Sequence, residues 1–577
     1  MSRFNVAASW PKLLVLTLLL CSCACSIVAG AGTTLELQPM LIAIEQLRRT
    51  NFLVGVASVG VGLENGTQCG QELELLLKAI AHHDLWGLKV IDSFGSAPQT
   101  FSWGNYYWFS TKELCEDLNT PFSISFSDKP HSDKLFNITS MFPMRFWMVY
   151  FKFSTPHYID LKLPFENLIH LGLCLPQSCR TAHIFQYSDL YFKSNTFEMQ
   201  RNFKLQMNAT HIKTPEFKWG FFKQTGSIVF ISITVLMIFF AIIAEFLHKS
   251  KHNLILQQQF HRKSNNIPEM ATNTADAAIK CSKLEELLLC FRMSENYTSI
   301  LCLEKSNNYL SVVAGLRTII CLWVTVFHVY YYSLYAISNT PIIFAKLEKF
   351  ALQPVIQSCF YVDVFFVISA FLLVFNFLSN ENYMRRIQDN SSSANLCLFM
   401  KAIFHRYMRL TPVLIIAMLL SDMVFDFLNM FSPFHLDVHS GICCKQNWWY
   451  NLLYIQNFLD MKNICCSWTW YLGCEMQFFV LFTALLFVYA KNEKLAKILF
   501  VFLSTGCLIT SFLCNYYNNI TFQIDIVYST LGQLYVKPWV RITPYIGGAL
   551  LGWLLHRHKD QYIWNNGENH SQTTQHF

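Results

Sequence analysis

Four ionisable side chains interrupt otherwise apolar stretches of this chain: Arg317 and His328 in one stretch, Asp363 in the next, and Glu475 further on. An ionisable group at the centre of a membrane span costs roughly 2.5–3.5 kcal/mol on insertion scales, so each of the four calls for a partner, a cavity or a task. A histidine flanked by carboxylates can serve as a general base. The carboxylate fixes the imidazole tautomer and stabilises the imidazolium formed when a proton is taken up. His328, Asp363 and Glu475 each fall about seven or eight residues from the same end of their segments, which at 1.5 Å per residue puts them at one depth, roughly 10–12 Å from the boundary. Arg317 lies about three helical turns before His328, on the same face and about 16 Å deeper. Base and cation then line one path. The competing reading is that these groups pair with one another and pin helices together, and for Asp363 alone that reading is preferred.

A second cluster is Arg406-Tyr-Met-Arg409, running into Leu-Thr-Pro412. Two guanidinium groups one turn apart can hold a phosphate from two sides, which suits a nucleotide-bearing donor. Arginine at the cytosolic end of a span is also ordinary topology. Eight cysteines are disulfide candidates. Cys69, Cys115, Cys174 and Cys179 form an even set, for which three pairings are open, and Cys443-Cys444 and Cys465-Cys466 are two adjacent pairs. The adjacent pairs could be read as four zinc ligands, but a lumenal setting favours disulfides, and no metal site is expected. Sequons at Asn65, Asn137, Asn208 and Asn519 are glycosylation candidates.

The elements that must position these groups follow from composition. Of 577 residues only 14% are charged and 53% are hydrophobic, with 51 Phe and a mean hydropathy of +0.29. This is the profile of lipid-facing helices with aromatic belts. The net charge of +7 gathers beside hydrophobic segments, where it reports topology, and nucleic-acid binding is excluded. A signal peptide is expected over 1–31, followed by a lumenal or extracellular cysteine-bearing domain over 32–224. A first transmembrane helix follows over 225–247, then a cytosolic linker over 248–308 with one helix near Cys281 to Phe291. A transmembrane domain occupies 309–557, and a polar cytosolic tail 558–577. Spans are expected at 310–335, 355–378, 411–430, 468–490, 498–514 and 539–556. Threaded in order, they put every basic cluster on one side and the adjacent cysteines and Asn519 on the other. The stretch Asn447 to Phe458 reads as re-entrant or interfacial. The fold class is an all-α polytopic membrane bundle preceded by a disulfide-containing domain, in the plasma membrane or a secretory-pathway membrane.

Several motifs occur in order. They are Gly315-Leu-Arg317 with His328, Val362-Asp-Val-Phe-Phe-Val-Ile-Ser369, Arg406-Tyr-Met-Arg-Leu-Thr-Pro412, and Trp448-Trp449 with Asn451-Leu-Leu-Tyr454. They continue with Trp468-Thr-Trp-Tyr-Leu472 and Gln477-Phe-Phe479, then Lys537-Pro-Trp-Val-Arg541 and Pro544-Tyr-Ile-Gly547. Together they resemble the nose-resistant-to-fluoxetine family of animal membrane proteins, within the type-three membrane acyltransferases. Cys174-Leu-Pro-Gln-Ser-Cys179 resembles the end of that family's amino-terminal domain. The resemblance implies acyl transfer from a cytosolic acyl-CoA-type co-substrate, with no bound cofactor, to an unknown lipophilic or glycan acceptor, in contact with membrane lipids. It implies that His328 with Arg317 is essential for transfer and that Arg406 and Arg409 form the paired-arginine motif. Two residues depart from the pattern: Glu475 stands where the family usually has Asp, and Ala370 where it favours Gly. The bundle over 309–557 is also expected to have fewer spans than such domains usually carry. Two other functions fit the same charges: transport of lipids or xenobiotics along the charged path, and a receptor-like role for the lumenal domain.

Overall fold

The computed structural model describes residues 37–94, 101–120, 124–126, 129–131, 138–157, 168–264, 282–301, 308–357, 360–436, 440–460, 463–518 and 531–558. The expected signal peptide and polar tail, with Asn137 and Asn519, lie outside them.

The amino-terminal domain, expected to be lumenal, opens with helices α1 (Leu37–Thr50), α2 (Phe52–Leu63), α3 (Gln68–Ala81) and α4 (Leu85–Phe94). Strand β1 (Tyr107–Trp108), helix α5 (Lys112–Asp117) and the hairpin β2 (Ile124–Phe126) and β3 (Lys129–His131) follow. Strands β4 (Met144–Ser154) and β5 (Leu168–Pro176), helices α6 (Thr181–Lys193) and α7 (Glu198–Asn202), and strand β6 (Gln206–Lys213) complete it. The sheet runs β1-β5-β4-β6, with β5 antiparallel to β4 and parallel to β1. Every position of β5 is buried, which explains why Leu168-Ile-His-Leu-Gly-Leu-Cys-Leu-Pro176 shows no alternation. Asn51 caps α2 by accepting from the backbone of Leu53 and Val54, and the whole first turn of that helix is core. Of the three open pairings, the structure has Cys69–Cys179 and Cys115–Cys174. They tie α3 to the start of α6 and α5 to β5. Asn65 and Asn208 are exposed.

The membrane region begins with α8 (Thr225–Ser264), α9 (Lys283–Leu289) and α10 (Met293–Leu301), then α11 (Asn308–Ser333), α12 (Thr340–Leu347) and α13 (Gln353–Ile356). It continues through α14 (Val362–Ser379), α15 (Glu381–Asp389), α16 (Ser392–Phe431), α17 (Ser440–Leu452), α18 (Trp470–Lys491), α19 (Glu493–Tyr517) and α20 (Pro538–Arg557). Among the described residues six helical segments are long and apolar enough to cross a membrane: 225–253, 312–333, 362–379, 392–431, 467–491 and 493–517. The protein is a multi-pass integral membrane protein. At the centre, α14 packs against α20 where Gly548 and Gly552, one turn apart, let the backbones meet. A Cβ on Gly548 would sit 2.2 Å from the Val367 carbonyl oxygen, and one on Gly552 would sit 2.8 Å from that of Phe371. Ala370 is fully buried in the same cluster, with Phe478, Phe482 and Tyr545 stacked beside it.

Two span boundaries differ from expectation. The segment expected at 355–378 begins at Val362. The one expected at 411–430 belongs to a single 40-residue helix that starts at Ser392, where Ser391 caps the backbone of Ala394. Pro412 does not start this helix, because an interior proline removes one backbone hydrogen bond and α16 continues through it. The stretch from Asn447 packs against the start of α18. Asn451, Gln456 and Asn457 are fully buried. Asn451 donates to Cys465 O and Thr469 Oγ1, Gln456 donates to Thr469 O, and Gln477 donates to Asn457 Oδ1 and Tyr454 O. Amides bound in this way satisfy the irregular chain between α17 and α18.

Candidate functional site

Helix α16 carries Arg406 and Arg409. At 1.5 Å per residue its 40 residues run about 60 Å, and Arg406 sits about 21 Å from Ser392. Helix α18 runs beside it in the opposite sense. Its last residue, Lys491, donates to the carbonyls of Gln388 and Asn390, so the lower ends of the two helices are level. Glu475 lies about 24 Å above Lys491, and therefore meets Arg406. The carboxylate pairs with the Arg406 guanidinium, accepts the hydroxyl of Ser369 from α14, and is almost fully buried. Arg406 also stacks over the Phe479 ring at 4.2 Å. Three helices thus share one buried ionic junction.

This corrects two expectations. Arg406 is not at a mouth remote from Glu475, since α16 extends two turns and more beyond the presumed start of its span and carries the arginine up to the carboxylate. The three-residue grouping at one depth is also replaced by separate pairs. Asp363, in the first turn of α14, accepts both its bonds from Arg541 Nη1, each at 3.0 Å, and Arg541 in turn donates from Nε to Tyr535 O. The Arg541 guanidinium lies over the rings of Tyr535 and Trp470. Among the described residues neither carboxylate bonds to His328. His328 Nδ1 donates to Val324 O one turn back at 2.7 Å, which fixes the tautomer through the backbone and leaves Nε2 with a free lone pair. His328 is half-buried, while Arg317 is exposed on α11 and within electrostatic reach of Glu475. Tyr332, one turn above His328, meets Ser467, so His328 stands about one turn to the lumenal side of Glu475.

On the other side of the Arg406–Glu475 pair a cavity of about 480 Å³ opens. It is lined by Arg406 and Arg409 together with Arg386, Lys401, His405 and Tyr383. Lys401, His405 and Arg409 fall one above another at helical spacing on α16, and Arg386 reaches in from α15. No carboxylate lines it. From sequence Arg386 and Lys401 report only topology, although the Lys401, His405, Arg409 spacing puts two cations and an imidazole on one helical face.

The lumenal loop holds the disulfide Cys444–Cys465. Cys466, expected in a disulfide, is instead a buried thiol with its Sγ 4.0 Å from that of Cys444. The side chain of Cys443 lies outside the described residues. The three sulfurs of Cys444, Cys465 and Cys466 are within 4.8 Å of one another, but two of them are joined covalently.

Comparison with known proteins follows the same division of the chain. Residues 69–188 match the family described as nose resistant-to-fluoxetine protein, N-terminal domain, and residues 312–567 match the acyltransferase domain. The chain thus joins an amino-terminal domain similar to that of the nose resistant-to-fluoxetine proteins to an acyltransferase domain. A curated relative, nose resistant to fluoxetine protein 6 of Caenorhabditis elegans, is 29% identical over 294 residues, covering 47% of this chain and 34% of the relative. The match spans about a third of that relative's length. No solved structure matches. The acyltransferase-domain match takes in Arg317, His328, the Arg406–Glu475 junction and the basic cavity, while the amino-terminal match takes in Cys69–Cys179 and Cys115–Cys174.

Proposed function

We propose that this chain transfers an acyl group from a cytosolic acyl-CoA-type thioester to an acceptor that approaches from the lumenal side. The observation that carries the reading is the cavity walled by Arg386, Lys401, Arg406 and Arg409 without a carboxylate, one helical layer below a histidine whose Nε2 is free. The cationic wall suits the phosphates of the donor, and the guanidinium pair can grip them bidentately. His328 Nε2 accepts the proton of the acceptor hydroxyl or amine as its heteroatom attacks the thioester carbonyl. The carbon–sulfur bond then breaks, and the leaving thiolate takes that proton and departs as free thiol. Arg317, exposed on the same helix about 16 Å to the cytosolic side of His328, offers positive charge along the path by which the donor approaches. Glu475 holds Arg406 at the cavity's inner end, while Asp363 binds Arg541 and serves the packing of α14 on α20.

Transport of lipophilic compounds along the same charged path is the rival function, and one experiment separates the two. Purified protein in lipid nanodiscs, given radiolabelled acyl-CoA and a lipid extract, releases free CoA and labels an extract component, and His328→Ala abolishes both. Equal release by the variant sinks the catalytic assignment. Uptake of label into sealed vesicles without CoA release favours transport.

A further inference from the structure

Helices α9 and α10 are short, and neither contributes to the site. They fold back onto the cytosolic end of α8. Phe291, at the corner between them, packs on Phe240 of that helix with ring centroids 5.3 Å apart. Arg292 Nη1 donates to His248 Nδ1 at 3.0 Å, Ser294 N donates to Glu245 Oε1 at 2.7 Å, and Lys251 pairs with Glu285 at 3.0 Å. The basic stretch from His248 to His252 marks the cytosolic boundary of the span, and Phe240 lies about 12 Å to the membrane side of His248. The corner of the helix pair is therefore held at the depth of the membrane.

The polar contacts face α8, and the remaining apolar residues face away from it. Leu284 and Leu287 on α9, and Met293, Tyr297, Ile300 and Leu301 on α10, form outward stripes at helical spacing, with Ile300 81% and Leu284 66% exposed. Helices of 7 and 9 residues do not hold themselves in water without packing. The capping box of Ser282 and Glu285 fixes the start of α9, but nothing on the described chain covers the stripes. They continue the lipid-facing surface of α8, where Phe239, Ile242 and Phe246 are exposed at the same depth. We infer that α9 and α10 dip into the cytosolic leaflet as an amphipathic pair packed along α8, with this stripe buried among the upper acyl chains and α8 as its anchor. The polar edge formed by Lys283, Lys251 and Arg292 then sits among the head groups.

The test uses the full chain in phosphatidylcholine–phosphatidylserine vesicles containing a phospholipid whose acyl chain bears a diazirine. After photolysis and peptide mapping, carbene adducts are expected on Leu284 to Leu301 at yields comparable with those on Phe239, Ile242 and Phe246. Adducts on α8 with none on α9 and α10 overturn the inference, whether water or protein covers the stripe. In the double variant Leu287→Asp, Ile300→Asp, labelling of α9 and α10 should fall at least about tenfold while α8 stays labelled. Unchanged labelling of the pair would show that the stripe does not hold it in the leaflet and would also overturn the inference.

Discussion

Replacing Glu475 by Gln tests the junction on which both the helix packing and the donor cavity rest. The wild-type carboxylate is almost fully buried between Arg406 and Ser369. Gln keeps the shape and can still accept from Ser369, but it leaves the Arg406 guanidinium, itself largely buried, without its counter-charge. Breaking a buried pair by removing one partner costs about 3–5 kcal/mol, because the remaining charge is uncompensated. For a bundle of this size about 3 kcal/mol lowers Tm by roughly 6 °C. Arg406→Met strands the carboxylate instead and should cost a similar amount. The double variant removes both charges, so its loss should fall well short of the sum, with a coupling of about 2 kcal/mol or more. Thermal unfolding in nanodiscs, followed through the 14 tryptophans, measures all four proteins. Strictly additive losses, or single losses under about 1 kcal/mol, refute the reasoning. Glu475→Asp keeps the charge but withdraws it by one methylene, so it should fall between wild type and Gln and lose more through Ser369 than through the long, mobile arginine.

Three further outcomes follow from other parts of the molecule. Lys401→Ala or Arg409→Ala, each removing one exposed cation from the cavity wall, should raise the KM for acyl-CoA about tenfold and reduce its dependence on salt, with little change in Tm; an unchanged KM for both would remove the cavity from the donor site. Asp363→Asn should lower Tm by a similar margin to Glu475→Gln, since it strips the buried Arg541 of its partner, yet leave that KM unaltered, and a KM effect without a Tm effect would reverse the assignment. His170 is buried in β5, and burial first, with His435 and Lys213 adding to it, pushes its pKa down from 6.5 to about 3. The unfolded chain therefore takes up a proton below 6.5 that the folded chain refuses until about 3, so the lumenal domain loses about 1.4 kcal/mol of stability per pH unit as pH falls through that window. His170→Gln should flatten that slope in unfolding measured between pH 7 and pH 5, and an identical slope would show that another group is responsible.

The legible part of this protein was what periodicity and charge can carry. The spans from Ser227 and Trp468 are apolar runs bounded by basic residues, and lipid admits few alternatives for such runs, whereas the one expected at 539–556 forms helix α20 but is not among the six segments apolar enough to cross. Pairing was not legible. Asp363 and Glu475 look alike from sequence, each an acid near the start of an apolar helix, and only the packing of α20 and α16 decides that one meets Arg541 and the other Arg406. The span expected at 411–430 starts late because Lys401, Arg406 and Arg409 interrupt the apolar run, whereas α16 is one helix from Ser392 through Pro412 and carries Arg406 into the bundle. The cysteines of the lumenal domain were identifiable as a set but not as pairs, because β5 brings Cys174 to Cys115 across 59 residues rather than to Cys179 beside it.

The lumenal domain bears on the site through its footing. Tyr150 donates to Pro433 O at 2.7 Å, and Lys213 Nζ donates to Asn429 O and Phe434 O. The backbone N–H of His435 donates to His170 Nε2 at 3.1 Å, which requires His170 to be neutral with its other nitrogen protonated toward Leu168 O. These contacts grip the chain just past the end of α16, the helix of Arg406. A separate contact from Asn339 to Trp103 O grips the chain just past α11, the helix of His328. Helix α11 is otherwise little buried, with only 6% of its apolar window covered. The position of His328 relative to Arg406 therefore depends on a rigid body that touches the far ends of both helices, and the sheet that forms the footing is the one stapled by Cys115–Cys174. A ligand or a pH change that shifts this domain would change the distance between His328 and Arg406 without touching either.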